Sequence, residues 1–421
     1  MKPMVKCLIC GAVFEAGADV CPVCGAGPDY FVPAEREAPA FRRDTGERFL
    51  ILGGGTAALS AAEAIRERNA TCSIVLVTDE PVPPYNRPML TKALEEDYGH
   101  IAIHGDAWYE EHGIIVLTGR RVESVDASAK LVALSGGLRF QYDKCVYALG
   151  ARCFIPAIDG AQTPGVVSLR CLEDVRHLRA LLLSGKRNAV VIGGGVLGLE
   201  AAWALRRHDC AVTVLETGDR VMARQLDAEA SRMLSDAAEA SGVSIRTRAH
   251  AERIEGDSHV TGVRLQGGGR IEADLVVVSS GVRSNCAVAQ AAGASVDRAV
   301  RVNDRMETSL PDVYACGDCA EFGGVNAALW SVATEMGRVA GANAAGEPVA
   351  YSPICPGVTF TGMGTTLYAA GDAGFDPAKS YRIEAKREDS GRRLEKLYYE
   401  GGRLVGVILF GDTSRAAEFA D

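Results

Sequence analysis

Four cysteines near the start of the chain stand in two pairs, Cys7 with Cys10 and Cys21 with Cys24, each pair followed by a glycine. A CxxC step bends the backbone into a knuckle on which two thiolates converge on one ion, and glycine permits the tight turn that aims amide N–H groups at the sulfurs. Two knuckles complete a tetrahedral site, and a tetrathiolate tetrahedron suits either iron or zinc. The segment up to Pro33 is shorter than the roughly 40 residues below which a chain seldom folds unaided, so a metal is expected to hold it together.

Two glycine turns carry a second chemistry. Phe49 to Leu52 reads as an apolar strand running into Gly53, Gly54 and Gly55, then Thr56, Ala57 and Ala58, then the helical pattern LSAAEAIRER. In such a GxGxxA turn the first glycine makes the strand-to-helix turn, and the second lets backbone approach a pyrophosphate. The third small residue brings helix and strand together, and the helix N-terminus supplies partial positive charge. The next strand, Ser73 to Val77, ends at Asp79 and Glu80, and either carboxylate suits an adenosine ribose. The pattern recurs: Asn188 to Ile192 enters Gly193, Gly194 and Gly195, with Val196, Leu197 and Gly198 opening a second helix, and the strand Ala211 to Leu215 ends at Glu216. A carboxylate there pairs with a free 2′-hydroxyl and repels a 2′-phosphate by up to about 4 kcal/mol at an effective dielectric of about 20, which favours NADH over NADPH. Arg220 lies close enough in sequence to offer a phosphate a counter-charge, and reads more simply as a solvated surface arginine.

These elements sit in a chain of 421 residues, 48% apolar and 24% charged, which is ordinary for a soluble globular protein of two or three domains. A net charge of -9 leaves no broad basic surface for nucleic acid. No apolar run is long enough to span a bilayer, and MKPMVKCLICG lacks the apolar core of a signal peptide, so no membrane association and a cytoplasmic location are expected. Thirteen cysteines, an odd number scattered over a long chain, fit reduced thiols with one local cluster better than a disulfide framework.

CLICG, CPVCG and the following Asp29, Tyr30 and Phe31 resemble the short rubredoxin-like domains also found at the end of rubrerythrins, which implies one iron cycling between ferric and ferrous states. The aromatic usual after the first knuckle glycine is replaced by Ala12 and Val13. From Phe49 onward the chain resembles flavoproteins with two dinucleotide-binding domains, particularly NADH:rubredoxin reductases, ferredoxin reductases of oxygenase systems and the flavin part of assimilatory nitrite reductases. The carrying stretches are PYNRPMLTK (84–92), RQLDAEAS (224–231), SSGVRSN (279–285, with Gly281) and ACGDCAEF (315–322), together with the exit turn VYALGA (146–151, with Gly150), in which Leu149 replaces the family's threonine.

The resemblance implies an α/β fold with two Rossmann-like domains. The expected organisation is a rubredoxin-like metal-binding domain at 1–33, a linker at 34–47, an FAD domain in two parts at 48–158 and 279–346, an NAD domain at 159–278 between them, and a small α+β domain at 347–421. It also implies site residues. Gly317 and Asp318 would hold FAD, Asp318 from the ribityl or phosphate side. Arg87 and Lys92 would lie beside the isoalloxazine, Trp330 would cover it, and Glu200 would approach the nicotinamide carboxamide. Lys92 and Glu200 are the catalytic candidates. Residues 86–94 hold no cysteine where disulfide reductases keep their redox thiol, so thiol chemistry is not expected, and the Cys316/Cys319 pair spans the FAD turn. The expected function is passage of electrons from NADH through FAD to the iron of the first domain and on to a redox protein. The alternatives are a zinc-bound docking domain and direct NADH oxidase or peroxidase activity. Strands such as 396–399 and 404–410 suit a C-terminal domain that lines the flavin or a homodimer interface.

Overall fold

The structure, a computed structural model, describes residues 3–8, 13–21, 26–34, 40–94, 99, 101–354, 357–388 and 391–419. Its centre is a pair of five-stranded parallel sheets built to one plan. The first runs in the order Val313–Ala315, Lys144–Tyr147, Arg48–Leu52, Ser73–Val77, Ile114–Leu117. The second runs Val166–Val167, Leu275–Val278, Asn188–Ile192, Ala211–Leu215, Val243–Arg246. Their central strands read FLIL, AVVI and LVVV and are buried throughout, the unbroken apolar run that a parallel sheet covered on both faces requires. Each unit also carries a three-stranded antiparallel sheet, Val122–Asp126 with Leu131–Leu134 and Leu138–Gln141 in the first, and Ala251–Glu255 with Gly262–Leu265 and Arg270–Glu272 in the second.

After the second unit the chain returns to the first. Strand Val313–Ala315 joins the edge of its sheet, and helix Trp330–Ala344 packs along helix Thr56–Arg68. The two helices approach until backbones touch: a Cβ on Gly337 would lie 2.3 Å from the Ala57 carbonyl oxygen, and one on Gly341 2.4 Å from that of Ala61. Residues 40–47, read from the sequence as linker, are bonded to this unit. Arg43 N–H donates to the Arg68 carbonyl at 2.8 Å, Ala70 N–H to Asp44 Oδ1 at 2.7 Å, and Thr45 N–H to the buried Asn69 at 3.1 Å.

The C-terminal region is a five-stranded antiparallel sheet in the order Val358–Gly362, Thr365–Gly371, Arg403–Phe410, Leu394–Glu400, Arg382–Arg387. The helical part of the expected α+β domain is reduced, among the described residues, to a 3-10 turn at Ala416–Phe419. Strand Arg403–Phe410 departs from simple alternation, because both of its faces are covered. Ile408 and Phe410 face the second unit's core, while Val407 and Leu409 face a separate cluster with Tyr368. The cover on that second face is the N-terminal module. It is a three-stranded antiparallel sheet of Val13–Glu15, Met4–Cys7 and Phe31–Ala34 with a 3-10 turn at Pro28–Tyr30, and that turn lies against Ala416–Phe419.

Candidate functional site

The two glycine turns are near copies of one another. Gly53 has φ +131° and Gly193 φ +119°. A Cβ on Gly53 would lie 2.0 Å from the Ala148 carbonyl oxygen, and one on Gly193 2.2 Å from that of Ser279, so backbone conformation and contact both exclude a side chain. Gly55 and Gly195 precede helices Thr56–Arg68 and Val196–Arg207, which have no side-chain cap and no acidic residue in the first turn. A Cβ at either would meet nothing within 4 Å, so each helix start, with its unbonded first-turn N–H groups, has open space beside it. Those cradles fit the pyrophosphates of two dinucleotides. Ala58 is fully buried at the third small position, and at Gly198 a Cβ would fall 2.0 Å from the Gly193 carbonyl oxygen. Thr56 bonds Thr334 at 2.7 Å, Ala57 lies under Gly337, and Leu197, next to Val196, stays 48% exposed at the mouth of the second turn.

The carboxylates after the second strands differ. Glu216 accepts from Gly194 N–H at 2.8 Å and Gly218 N–H at 2.7 Å, which fixes it beside the second cradle. Arg220 bonds Asp219 at 3.0 Å and nearby carbonyls. In the first unit Glu80 accepts from Arg87 and, at 2.7 Å, from the Tyr85 hydroxyl, so both its oxygens are engaged, while Asp79 is exposed. Of the two ribose candidates, Asp79 is the more exposed and Glu80 is the one tied into a network.

Arg87 is drawn into the same network, donating also to Tyr85 Oη at 3.0 Å and to the Arg170 carbonyl at 2.8 Å. The Arg170 side chain in turn bonds Asp318 Oδ2 at 2.5 Å and the Ala151 carbonyl at 3.1 Å. Arg170 thus ties the Gly317 turn to the strand leaving the first unit, and sequence spacing gave no signal for it. The Asp318 carbonyl accepts from Ser284 and Asn326 at 2.7 and 3.0 Å. At the exit turn Gly150 has φ +62°, and Asn285 bonds the carbonyl of Leu149 at 2.9 Å, a tertiary hydrogen bond at the turn where the family's threonine is missing. Gly281, at φ +94°, holds the neighbouring crossing through Phe154 N–H, which donates to its carbonyl at 2.8 Å.

Lys92 lies exposed on the 3-10 turn Lys92–Leu94, and Glu200 lies partly buried on helix Val196–Arg207, so the pair spans the two units. Burial pushes the Glu200 carboxyl up to about 7, against the pull of the Lys92 ammonium. Trp330 opens the returning helix and packs on the cluster formed by the N-terminal module and the C-terminal sheet.

The family model described as pyridine nucleotide-disulphide oxidoreductase matches residues 47–337. The chain belongs to that family. It is 33% identical over 372 residues to a nitrite reductase [NAD(P)H] of Bacillus subtilis, covering 87% of this chain and 46% of that protein. It is 32% identical over 377 residues to an NADH-rubredoxin oxidoreductase of Clostridium acetobutylicum, covering 88% and 94%. The covalent putidaredoxin reductase–putidaredoxin complex superposes with a TM-score of 0.80 at 30% identity over 89% of this chain and 92% of that one. The chain spans about half the length of the two Bacillus subtilis relatives, a nitrite reductase and an assimilatory nitrate reductase electron transfer subunit. As a member of the family it is an NAD(P)H-dependent FAD oxidoreductase. The disulphide of the family name finds no counterpart in its CxxC at the FAD turn. Cys316 and Cys319 are fully buried, the Cys319 thiol donates to the Cys316 carbonyl at 3.2 Å, and burial raises both, Cys319 to about 12. Both thiols stay protonated at neutral pH.

In the N-terminal module Cys7 and Cys21, one from each CxxC, are buried to 0% and 1% exposure in a single apolar cluster with Tyr30. Cys10 and Cys24 lie outside the described residues. Among the described residues no group of three or more ligating side chains assembles, so the module is seen through half of its four-cysteine set.

Proposed function

We propose that this oxidoreductase carries electrons from NADH through FAD to a tetrathiolate iron centre in its own N-terminal module, and from there to a redox protein. The observation that carries the reading is the apolar cluster joining Cys7 and Cys21 to Trp330, the first residue of the helix packed along the FAD cradle. Relatives named NADH-rubredoxin oxidoreductase and a reductase solved with putidaredoxin supply the acceptor class. When bound, FAD supplies the conversion of a two-electron donor into single electrons, and iron supplies a one-electron acceptor.

The chain's own residues do the rest. Gly53 and Gly55 admit one pyrophosphate and Gly193 and Gly195 the other, with Asp79 and Glu216 at the riboses. Glu216 selects NADH by its charge. Lys92 presents a cation at the junction of the units, and Glu200, poised near neutrality, can hold or release a proton there. Asp318, fixed by Arg170, orients the FAD turn.

Metal analysis of native protein and anaerobic NADH addition test the reading. The expected result is one iron per chain and bleaching of its visible band after that of the flavin. Zinc without iron, or an iron band that stays oxidised while the flavin bleaches, would overturn it. The zinc outcome would leave the module as a docking domain, the second reading that two buried cysteines equally support.

A further inference from the structure

The segment that carries Arg87 and Lys92 belongs by sequence to the first unit but packs as part of the second. Tyr85, Leu90, Ala93 and Leu94 are buried, and they join the core of the second unit rather than that of the first. They meet helix Leu172–Leu183 there, which turns Leu172, Val175, Leu178 and Leu182 inward. The helix holds the segment at two places. At its start Leu172 N–H donates to the Tyr85 hydroxyl at 3.2 Å, beside the bond of 2.8 Å from Arg87 to the Arg170 carbonyl. About two turns further along, Arg179 reaches the 3-10 turn Lys92–Leu94, where its Nε donates to the Leu94 carbonyl at 2.9 Å and its Nη2 to the Ala93 carbonyl at 2.5 Å. The last carbonyls of a helical turn lack partners within it, and a cation at that end is favourable. The guanidinium offers parallel donors in a fixed plane, so one half-buried side chain holds two consecutive carbonyls in one geometry, which a lysine ammonium cannot do. Lys92, exposed on this turn, is thereby oriented from the second unit, whose helix Val196–Arg207 carries Glu200. Among the described residues the charge acting on Glu200 is the Lys92 ammonium, which pulls its carboxyl down against burial.

We propose that Arg179 is a positioning residue for Lys92: by holding the Ala93 and Leu94 carbonyls from the second unit, it fixes where the Lys92 ammonium stands relative to the Glu200 carboxyl. The proposal rests on the roles given above to Lys92 and Glu200, and adds a residue that acts through the backbone of the turn. Loss of the fork frees the turn at its last two carbonyls and leaves the apolar burial of Ala93 and Leu94 in place, so Lys92 shifts without the segment unfolding.

The test uses the full chain loaded with FAD. Flavin reduction by NADH is followed under argon by stopped flow, a step in which one hydride leaves the nicotinamide and enters the flavin. Arg179→Met keeps an unbranched apolar stem and removes both donors. The expected result is a fall of about tenfold in the limiting reduction rate, with the NADH dissociation constant unchanged within about twofold. Arg179→Lys, which restores a cation without the fork, should recover only part of that loss, and it is the variant to read should Arg179→Met lose its flavin. Added to Lys92→Met, the Arg179 substitution should cost less than about twofold more, because a residue that acts through Lys92 then has nothing left to place. A readout apart from turnover is the Glu200 carboxylate band, isolated as the infrared difference against Glu200→Gln. Its titration should move above the wild-type value of about 7 once the opposing cation is displaced. A wild-type limiting rate in either Arg179 variant, an unmoved Glu200 titration, or losses that multiply in the double variant would overturn the proposal. A wild-type rate in Lys92→Met alone would instead sink the role given to Lys92, and this proposal with it, so the two failures are told apart.

Discussion

The two dinucleotide units share strand order, glycine turn and antiparallel insertion, yet they are closed in different ways. The first is sealed by the returning helix, whose Gly337 and Gly341 bring backbone against Ala57 and Ala61. The second meets the C-terminal sheet through apolar packing, where Ile408 and Phe410 join its core, and through a cluster of charges beside it. Lys396, 6% exposed, lies between Asp227 and Glu229, at 2.6 Å from the latter, with Tyr398 bonding Asp227 at 2.7 Å and Arg387 bonding Glu229 at 2.7 Å. Close helix packing does not depend on pH, whereas the charged part of the second junction does.

The strongest break between the units should come at the paired turns. Gly53→Val is expected to give colourless protein that does not bind FAD. Gly193→Val should keep the flavin and weaken NADH by on the order of a hundredfold, from roughly 3 kcal/mol of overlap and strain. Flavin absorbance and an NADH titration check both, and a Gly193→Val protein that loses its flavin would merge two sites described here as separate.

The closures themselves come next. Gly337→Val should cost about 3 kcal/mol by forcing the helices apart, at any pH. Lys396→Met should cost a similar amount, about 3 kcal/mol, by leaving Asp227 and Glu229 partly buried without their cation. Only the second closure should respond to acid. Glu229 is held down to about 2 by Arg387 and Lys396, and Asp227 is lowered as well, with the Lys396 hydrogen bond opposing its burial. Folded carboxyls below their unfolded values add stability that is complete above about pH 4.5 and is lost as pH falls toward 2. Urea unfolding at pH 7 and pH 3 should therefore show Lys396→Met converging on wild type in acid while Gly337→Val does not.

Two smaller effects sharpen the contrast at the cofactors. Glu216→Gln should lower the preference for NADH over NADPH by roughly ten- to a thousandfold, the upper end set by about 4 kcal/mol of charge repulsion, as read from the ratio of kcat/KM values. Glu200 behaves oppositely to Glu229. Its folded value near 7 lies above the unfolded one, so the native state holds the extra proton between about pH 4.5 and 7, and stability falls as pH rises through that window. Glu200→Gln should flatten that slope and remove an inflection near pH 7 in the rate of flavin reduction by NADH, both measurable by stopped flow and thermal unfolding.

The sequence alone determined the strand–glycine–helix units, because each is a local pattern in which periodicity, glycine spacing and a following carboxylate all lie within about thirty residues. It also marked the cysteine pairs, the exit turn and the second FAD segment. Tertiary structure alone distinguishes Asp79 from Glu80, since only the approach of Arg87 and Tyr85 ties Glu80 into a network and leaves Asp79 exposed. It alone brought Arg170 to Asp318 across 148 residues of sequence. The seat of the N-terminal module was half legible. The run VILF at 407–410 is apolar on both faces, which announces a cover on each, but which part of the chain supplies the second cover depends on contacts between the two ends of the chain. Local patterns report what a segment can bury; what it is buried against is a property of the packed whole.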